Sequence, residues 1–248
     1  MRVLGSWSFW VFLTAIVTAA ILPMFPSGYT RLIGWAVVAG AVLAVVWTIS
    51  QSNSRTLVFL VDERNRYELT QLITLAWFVV IVSAYLACAL WNIQLWDGRD
   101  PRLPIAINVP ATVWSLAGIV GVGLVGAGII KAVKRERAAQ PHHQAAATSL
   151  KLRPPAHPLF IRASRHDAEA IDLVSYDELG VQDKIDLAAL QQLLFQIAAV
   201  IIYGVALGRQ MFLRPTETIT AFPEIPEGFV ALLGVSTLTA LANRAVPR

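Results

Sequence analysis

The chain has 248 residues, of which 56% are hydrophobic and 15% charged, and its formal net charge is +4. With a mean hydropathy of +0.59, this composition suits a multi-pass membrane protein better than a soluble domain. The single cysteine, Cys88, excludes an intramolecular disulfide and a cysteine-based metal site.

Five uncharged apolar runs reach or approach the roughly 20 residues that a helix needs to cross a hydrocarbon core. They cover residues 7–25, 32–49, 72–91, 113–130 and 190–207. A sixth run, residues 229–242, is shorter and more polar, so its length alone fits an interfacial helix equally well. We predict an all-α integral membrane protein with about six transmembrane helices, the first of which is retained and is not a cleaved signal peptide.

A repeat relates the second half of the chain to the first. A shift of 118 residues superposes four apolar residues and a tyrosine: Leu69, Leu72, Leu75, Val82 and Tyr85 fall on Leu187, Leu190, Leu193, Val200 and Tyr203. A shift of 116 then superposes Pro110, Leu116 and Gly118 on Pro226, Leu232 and Gly234. The shift changes in the connecting loop, where changes of length are best tolerated. We therefore predict two similar helical hairpins, spans 3–4 and spans 5–6, after an N-terminal hairpin.

These elements predict four consecutive parts. Residues 1–50 form an N-terminal transmembrane hairpin, and residues 51–137 form the first repeat hairpin with its charged approach. Residues 138–182 form a basic, proline-rich cytoplasmic linker, and residues 183–248 form the second repeat hairpin. Within the linker, residues 159–179 contain enough apolar side chains for a small ordered element or for docking on a partner, but too few for a core.

The basic residues predict the orientation of the chain. With six spans and a cytoplasmic N-terminus, fifteen Lys and Arg side chains face the cytoplasm and five face outside, as the positive-inside rule requires. The strongest local signal directly follows the fourth span and consists of Lys131, Lys134, Arg135 and Arg137. We predict that both termini are cytoplasmic, that the chain resides in the inner (cytoplasmic) membrane, and that this cluster contacts anionic lipid headgroups.

Charged segments precede the third and the fifth predicted spans. One contains Asp62, Glu63, Arg64, Arg66 and Glu68, and the other contains Asp177, Glu178, Asp183, Lys184 and Asp186. Acidic side chains at the start of a helix stabilise its exposed N–H groups and the positive end of its dipole. We interpret both segments as capped helix starts. The alternative interpretation is a pair of docking sites for a soluble partner.

Small and polar residues within the predicted spans are candidates for helix contacts. The candidates for close packing, within the chain or between protomers, are Ala117, Gly118, Gly121 and Gly128. The repeat also relates Tyr85 to Tyr203. Hydroxyl groups bonded to neighbouring helices are the ordinary interpretation of this pair, and a substrate site is the alternative.

Other patterns in the chain do not indicate cofactor or metal chemistry. Gly121, Gly123 and Gly126 form a GxGxxG string, but this string lies inside an apolar helix and not after a soluble strand, as dinucleotide binding would require. The four histidines lie in the polar linker, which offers no rigid frame for a metal. The basic residues there lack the recognisable module of a nucleic-acid binder. We predict no cofactor, no metal and no nucleic-acid partner.

The repeated segments resemble a motif of a group of bacterial multi-pass membrane proteins with a repeated helical hairpin. That motif reads Ser-Leu-Ser-Arg-Leu-Gln, an apolar helix, a proline, and Leu-Leu-Gly-Ile-Ser. This chain has Tyr67-Glu68-Leu69-Thr70-Gln71-Leu72, then Asp186-Leu187-Ala188-Ala189-Leu190-Gln191, followed by Pro226 and Ala231-Leu232-Leu233-Gly234-Val235-Ser236. The Ser and Arg residues at the start of the motif are absent from both copies. The resemblance covers half of the chain and implies the hairpin architecture, but no activity.

Two classes of function fit the sequence. We predict a non-catalytic anchor, scaffold or accessory subunit of a membrane-associated complex, with a protein partner at the cytoplasmic loop and the capacity to form a homo-oligomer. An enzyme is disfavoured because the spans contain no acid pair, Ser/His pair or histidine-rich motif. The alternative is a small transporter or channel-like subunit with its pathway between the two repeat hairpins. The absence of ionisable groups from the first five spans disfavours that alternative.

Overall fold

The computed structural model describes residues 14, 17–18, 21, 27–51, 58–96, 98, 103–139, 160–164, 167–176 and 184–245. Over these residues it is all-helical, with isolated β-bridges but no strand, as the composition predicts. The long helices are α1 (Gly28–Gln51), α2 (Leu69–Leu95), α3 (Ala111–Ala139), α4 (Leu187–Leu213) and α5 (Glu227–Ala245). Short 3-10 helices at Val58–Leu60 and Ala170–Leu173 lie in the connecting segments.

Three of the described helices are long and apolar enough to cross a membrane. They are Gly28–Thr48, Leu69–Leu95 and Leu187–Leu213. The last two contain 27 residues each, which corresponds to about 40 Å of helix against a hydrocarbon core of roughly 30 Å. Within α5 lies a shorter apolar helix, Glu227–Asn243. The chain therefore contains helices of the kind that a membrane protein requires.

Helix α3 carries the fourth predicted span and extends beyond it. It has 29 residues and continues to Ala139, so the basic cluster of residues 131–137 is helical. The first predicted span, residues 7–25, lies outside the described residues except for single positions. The part of the linker that contains His142, His143, His157 and His166 also lies outside them.

The helices that follow the charged segments have matching bounds. Helices α2 and α4 begin 118 residues apart, at Leu69 and Leu187, and they also end 118 residues apart, at Leu95 and Leu213. Helices α3 and α5 begin 116 residues apart. These spacings equal the two shifts that align the sequences. The apolar runs are shorter than the helices, so the runs alone do not determine where the helices begin and end.

A proline precedes α3 and α5 in the same manner. The carbonyl of Pro110 accepts hydrogen bonds from the N–H groups of Val113 and Trp114, at 3.0 and 3.3 Å. The carbonyl of Pro226 accepts the equivalent pair, from Phe229 at 2.9 Å and from Val230 at 3.2 Å. Proline suits this position because the first N–H groups of a helix have no partner within the helix, so the missing donor costs nothing.

The chain divides into two compact units. The first contains Met1–Val58, Thr74–Ser115 and Ile197–Val230, and the second contains Phe59–Ile73, Leu116–Gln196 and Ala231–Arg248. Each unit has its own buried apolar residues. In the first these include Trp77, Ala84 and Leu207, and in the second Leu69, Leu116 and Leu233.

A buried arginine fixes a loop in the first unit. Arg31 is 2% exposed, and its guanidinium donates hydrogen bonds to the carbonyl groups of Arg214 and Glu217. It also lies over the ring of Trp91, with 5.1 Å between Cζ and the ring centroid. The indole N–H of Trp91 donates to the carbonyl of Pro215 at 3.3 Å. The start of α1 and the end of α2 thereby hold the segment that follows α4.

Two amide side chains, 118 residues apart, satisfy further loop groups of the first unit. Asn92 donates to the carbonyls of Pro104 and Ile219, at 3.0 and 2.8 Å, and accepts from the N–H of Ile219 at 2.9 Å. Gln210 donates to the carbonyl of Ala221 at 2.7 Å. Buried backbone groups need such partners, so these amides determine the path of the loops.

Candidate functional site

A compact turn precedes helix α2 in the second unit. The N–H of Asp62 donates to the carbonyl of Arg66 at 2.9 Å, and the N–H of Asn65 donates to the carbonyl of Asp62 at 3.1 Å. The Asp62 carboxylate accepts from the N–H groups of Arg64 and Arg66, at 2.9 and 3.1 Å. Asn65 adopts the left-handed conformation, with φ 60°, which Asn tolerates better than most residues. Asp62 thus organises a turn and is not a helix cap.

The Arg66 side chain joins this turn to the central loop. It is 1% exposed, and its Nε lies 3.3 Å from Asp172 Oδ1. Its remaining guanidinium nitrogens donate to the Ser175 hydroxyl and to the carbonyl of Tyr176, the latter at 3.0 Å. A guanidinium presents donors in a fixed planar fork, so these contacts determine the position of residues 172–176 relative to the turn.

Arg162 binds the same aspartate from the other side. Its Nε and Nη2 lie 3.0 and 2.8 Å from the two carboxylate oxygens of Asp172, and Nη2 lies 3.3 Å from Glu169 Oε2. The hydrogen bonds to Asp172 raise the pKa of Arg162 above its ordinary value. Two charge-assisted bonds in parallel are stronger and more directional than one. Arg64, Arg66, Arg162, Asp62, Glu169 and Asp172 are termed the arginine cluster below.

Backbone contacts and one aromatic ring complete the arginine cluster. The N–H of Arg162 donates to the carbonyl of Arg64 at 3.1 Å, and the Asn65 side chain donates to the carbonyl of Arg162 at 2.9 Å. The Phe160 ring faces two guanidinium groups, with its centroid 5.6 Å from Cζ of Arg66 and 5.7 Å from Cζ of Arg162. Cations within about 6 Å of a ring centroid are attracted to the face of the ring.

The contacts described for the arginine cluster are ion pairs and hydrogen bonds between its members and the neighbouring backbone. Arg66 and Asp172 are buried, and buried charges require partners of opposite sign because each loses its hydration. The carboxylates are engaged by arginines, and within the described residues no group of three or more His, Cys, Asp or Glu side chains is placed to hold a metal ion. The arrangement can therefore hold a loop in one conformation beside the start of a helix.

The start of α4 has a similar local structure. Before α2, Val61 bridges Tyr67 and the N–H of Glu68 donates to the carbonyl of Leu60. Before α4, Ser175 bridges Ile185 and the N–H of Asp186 donates to the carbonyl of Val174. Tyr67 and Ile185 are 118 residues apart, as are Glu68 and Asp186, which extends the correspondence to the residues directly in front of the helices.

Asp186 caps helix α4. Its Oδ1 accepts from the N–H groups of Ala188 and Ala189, at 3.0 and 3.4 Å, and from the Asn243 side chain at 2.6 Å. This confirms the prediction of a capped start at α4. Asn243 lies near the end of α5, so one carboxylate joins the start of one helix to the end of the next.

The predicted tyrosine pair makes two separate sets of contacts in the first unit. Tyr85 donates to the carbonyl of Ile105 at 2.7 Å. Tyr203 is 3% exposed, its ring lies 5.7 Å from that of Trp77, and its hydroxyl has no hydrogen-bond partner in the described part of the chain. Beside it is a mostly apolar pocket of about 190 Å³, which Tyr85 does not line. The two hydroxyl groups therefore do not share this pocket.

Two of the predicted packing glycines have open space beside them. At Gly121 and Gly128, an added Cβ would meet no atom of the described residues within 4 Å. Gly123 and Gly126 pack closely instead: an added Cβ would lie 3.3 Å from Thr237 Cγ2 and 3.1 Å from Leu241 Cδ1, respectively. The contact of α3 within the chain thus uses glycines that the sequence did not single out for this role.

The remaining candidates lie on α3, but the surroundings of their side chains are outside the described residues. These are Ala117, Gly118, Lys131, Lys134, Arg135 and Arg137. Close packing of the first two and headgroup contact of the other four remain predictions. Sequence reasoning missed Arg162 and Asp172 as partners of Arg66, since no local pattern links residues so far apart. By contrast, the shift of 118 residues could have identified Asn92 and Gln210.

Comparison of the chain with models of protein families, with curated proteins and with solved structures gave no match.

Proposed function

We propose that the chain is a non-catalytic scaffold of a membrane-associated complex, held in the inner membrane by six spans with both termini in the cytoplasm. Three helices of sufficient length and hydropathy support the membrane location. The distribution of Lys and Arg supports the orientation. The equal bounds of α2 and α4, and the equal spacing of α3 and α5, support a duplicated hairpin.

The observation that carries the scaffold proposal is the use of one buried carboxylate by two arginines. Arg66, next to the start of α2, and Arg162, in the central loop, both bind Asp172. A loop held in this way presents a surface of defined shape, and a preorganised surface binds a partner with a smaller loss of conformational entropy. The arginine cluster therefore supports a docking role for the central loop.

Exposed apolar side chains lie next to the ion-paired residues in sequence. Ile161 and Ile171 flank the ion-paired residues in sequence and are 60% and 41% exposed. Phe59, directly before the compact turn, is exposed as well. Single exposed apolar residues are ordinary, but two on a loop fixed by buried ion pairs and one beside the turn that it contacts fit the apolar centre of a protein interface. We propose that a soluble protein partner binds there.

The test is a crosslinking pull-down of the full chain from native membranes. The proposal predicts a stoichiometric partner that is lost when Ile161→Glu and Ile171→Glu are combined. A matched control combines Leu103→Glu and Ile105→Glu, which replace two other exposed residues on the side assigned to the exterior. The control should retain the partner. A partner-free protein that conducts solutes in liposomes would overturn the proposal.

The transporter alternative has one supporting observation. The buried hydroxyl of Tyr203 lacks a partner among the described residues, and it lies beside the pocket of about 190 Å³. A pathway would need further polar groups on that pocket. Ser83 instead accepts from the Trp35 indole at 2.9 Å, and Ser115 donates to the carbonyl of Ala111 at 2.9 Å. The fixed central loop and its exposed apolar residues therefore favour the scaffold role over the transporter alternative.

A further inference from the structure

An open groove lies between helices α4 and α5 at the end where α4 starts. Its volume is about 530 Å³. Its helical walls are formed by Leu187, Ala188 and Gln191 from α4 and by Thr239, Ala242 and Asn243 from α5, and Tyr176 of the central loop also lines it. Nothing in the described part of the chain fills it.

The equivalent groove of the first hairpin is filled. Shifts of 118 and 116 residues place the groove residues on Leu69, Thr70 and Ile73 of α2 and on Gly123, Gly126 and Ala127 of α3. Apart from Gly126, which is partly exposed, all of these are buried. The occupant is helix α5, since Thr237 and Leu241 make the close contacts with Gly123 and Gly126. Thr237 and Leu241 of the second hairpin thus form a ridge that packs into the groove of the first.

The first hairpin has an equivalent ridge on α3, and that ridge is exposed. The residues of α3 that correspond to Thr237 and Leu241 are Gly121 and Val125. Val125 is 63% exposed, and the space beside Gly121 is open. Gly121 and Gly123 are about 200° apart around the helix, so the ridge and the filled groove of α3 lie on opposite faces. The described part of the chain therefore contains one unfilled groove and one exposed ridge.

The sizes of the exposed ridge and the unfilled groove are complementary. At the groove, Gly123 and Gly126 of the first hairpin are replaced by the larger Thr239 and Ala242 in the second. At the ridge, Leu241 of the second hairpin corresponds to the smaller Val125 in the first. Likewise Gly121 stands where the second hairpin has Thr237. The narrower groove is thus matched by a smaller ridge. Lipid would require no such match, whereas a second copy of the same chain would.

We propose that the groove between α4 and α5 binds the α3 ridge of a second copy of this chain, with Val125 of one protomer against Ala242 of the other. This contact reproduces the one that joins the two hairpins within a chain. It is heterologous, because a ridge meets a different surface, and such contacts close into rings or continue as arrays. The proposal rests on the duplicated hairpin and goes beyond the scaffold role, which requires no self-association.

Disulfide crosslinking of full-length chains in membranes tests the contact directly. Cys88 is replaced by Ala, and two differently tagged chains are co-expressed, one with Val125→Cys and the other with Ala242→Cys. We expect an oxidised heterodimer of the two tags. The control replaces Ala242→Cys with Leu194→Cys, at an exposed position of α4 outside the groove, and it should give no heterodimer.

A second variant separates loss of contact from loss of fold. Ala242→Trp fills the groove at an exposed position, so it should convert the oligomer into a folded monomer, measured by native mass spectrometry from nanodiscs. Leu194→Trp should leave the oligomer intact. A monomeric wild-type chain, equal crosslinking of both cysteine pairs, or a crosslink between two Val125→Cys chains would overturn the proposal. Bound lipid or a different protein in the groove would do so too. Partner capture through Ile161 and Ile171 would be unaffected, so the two proposals fail separately.

Discussion

Arg66 and Asp172 form a buried ion pair, with 3.3 Å between Nε and Oδ1, although 106 residues separate them in the chain. This pair joins the turn before α2 to the central loop. It also explains why part of a segment that is polar and proline-rich in sequence has a defined structure. The consequences for stability can be measured, because buried members of the arginine cluster should contribute more to the free energy of unfolding than exposed members.

Replacing Asp172→Asn should destabilise the protein by about 3 kcal/mol, because Arg66 and Arg162 would lose a buried counter-charge. Glu169→Gln is the matched control. The side chain of Glu169 is 65% exposed, so its loss should cost at most about 0.5 kcal/mol. Thermal unfolding in detergent, followed by circular dichroism, measures both. Equal effects of the two changes would contradict the central role of Asp172.

Asp186→Ala should lower the free energy of unfolding by about 1–2 kcal/mol, because the N–H groups of Ala188 and Ala189 would lose their cap. Asp186→Asn retains an oxygen acceptor and should cost less. The difference between the two variants, measured by the same unfolding assay, reports the capping role. If Asn were as damaging as Ala, the negative charge and not the acceptor would be the important property.

Gly126→Val should destabilise the packing of α3 by roughly 1–3 kcal/mol, since overfilled contacts force neighbours to shift. The neighbour that must move is Leu241. Gly128→Val, two residues away with open space beside it, should change stability by less than about 0.5 kcal/mol. Comparable losses would show that both glycines are packed.

Asn92→Leu should cost about 3 kcal/mol, because it removes the partners of the Ile219 N–H and of the carbonyls of Pro104 and Ile219. The effect should be concentrated in the loops, which makes limited proteolysis a suitable measurement. Cleavage within residues 103–110 or 214–226 should become faster than in the wild-type chain. Unchanged cleavage would mean that these loops are held by other contacts.

The proposed orientation can be tested with single cysteines in a Cys88→Ala background. Leu103→Cys should react with a membrane-impermeant maleimide in intact cells, whereas Lys184→Cys should react only after permeabilisation. Both positions are exposed, so access and not burial decides the result. The reverse pattern would invert the topology, and labelling of both in intact cells would place them on one side.

The long helices were predictable from the apolar runs, but their ends were not. The third predicted span was residues 72–91, whereas α2 covers Leu69–Leu95. Hydropathy falls at the polar Asn92, yet the helix continues to Leu95, and the Asn92 side chain donates to carbonyl groups of two loops. An apolar run therefore identifies the helix but not its ends, because polar residues with tertiary partners can extend it.

The arginine cluster could be predicted only in part. The charges before α2 were evident, but their assignment as helix caps is wrong for Asp62, which binds the N–H groups of its own turn. The assignment is correct for Asp186. Pairing of Arg66 with Asp172 depends on tertiary contacts, and neither propensity nor periodicity carries that information.

The link between Asp186 and Asn243 has a consequence for biosynthesis. These residues are 57 positions apart, and ribosomes add about 5–20 residues per second. Helix α4 therefore exists for several seconds before the amide that completes its capping carboxylate has been synthesised. During that interval Asp186 can accept only from the first N–H groups of α4. The link between the start of α4 and the end of α5 forms only once Asn243 has been made.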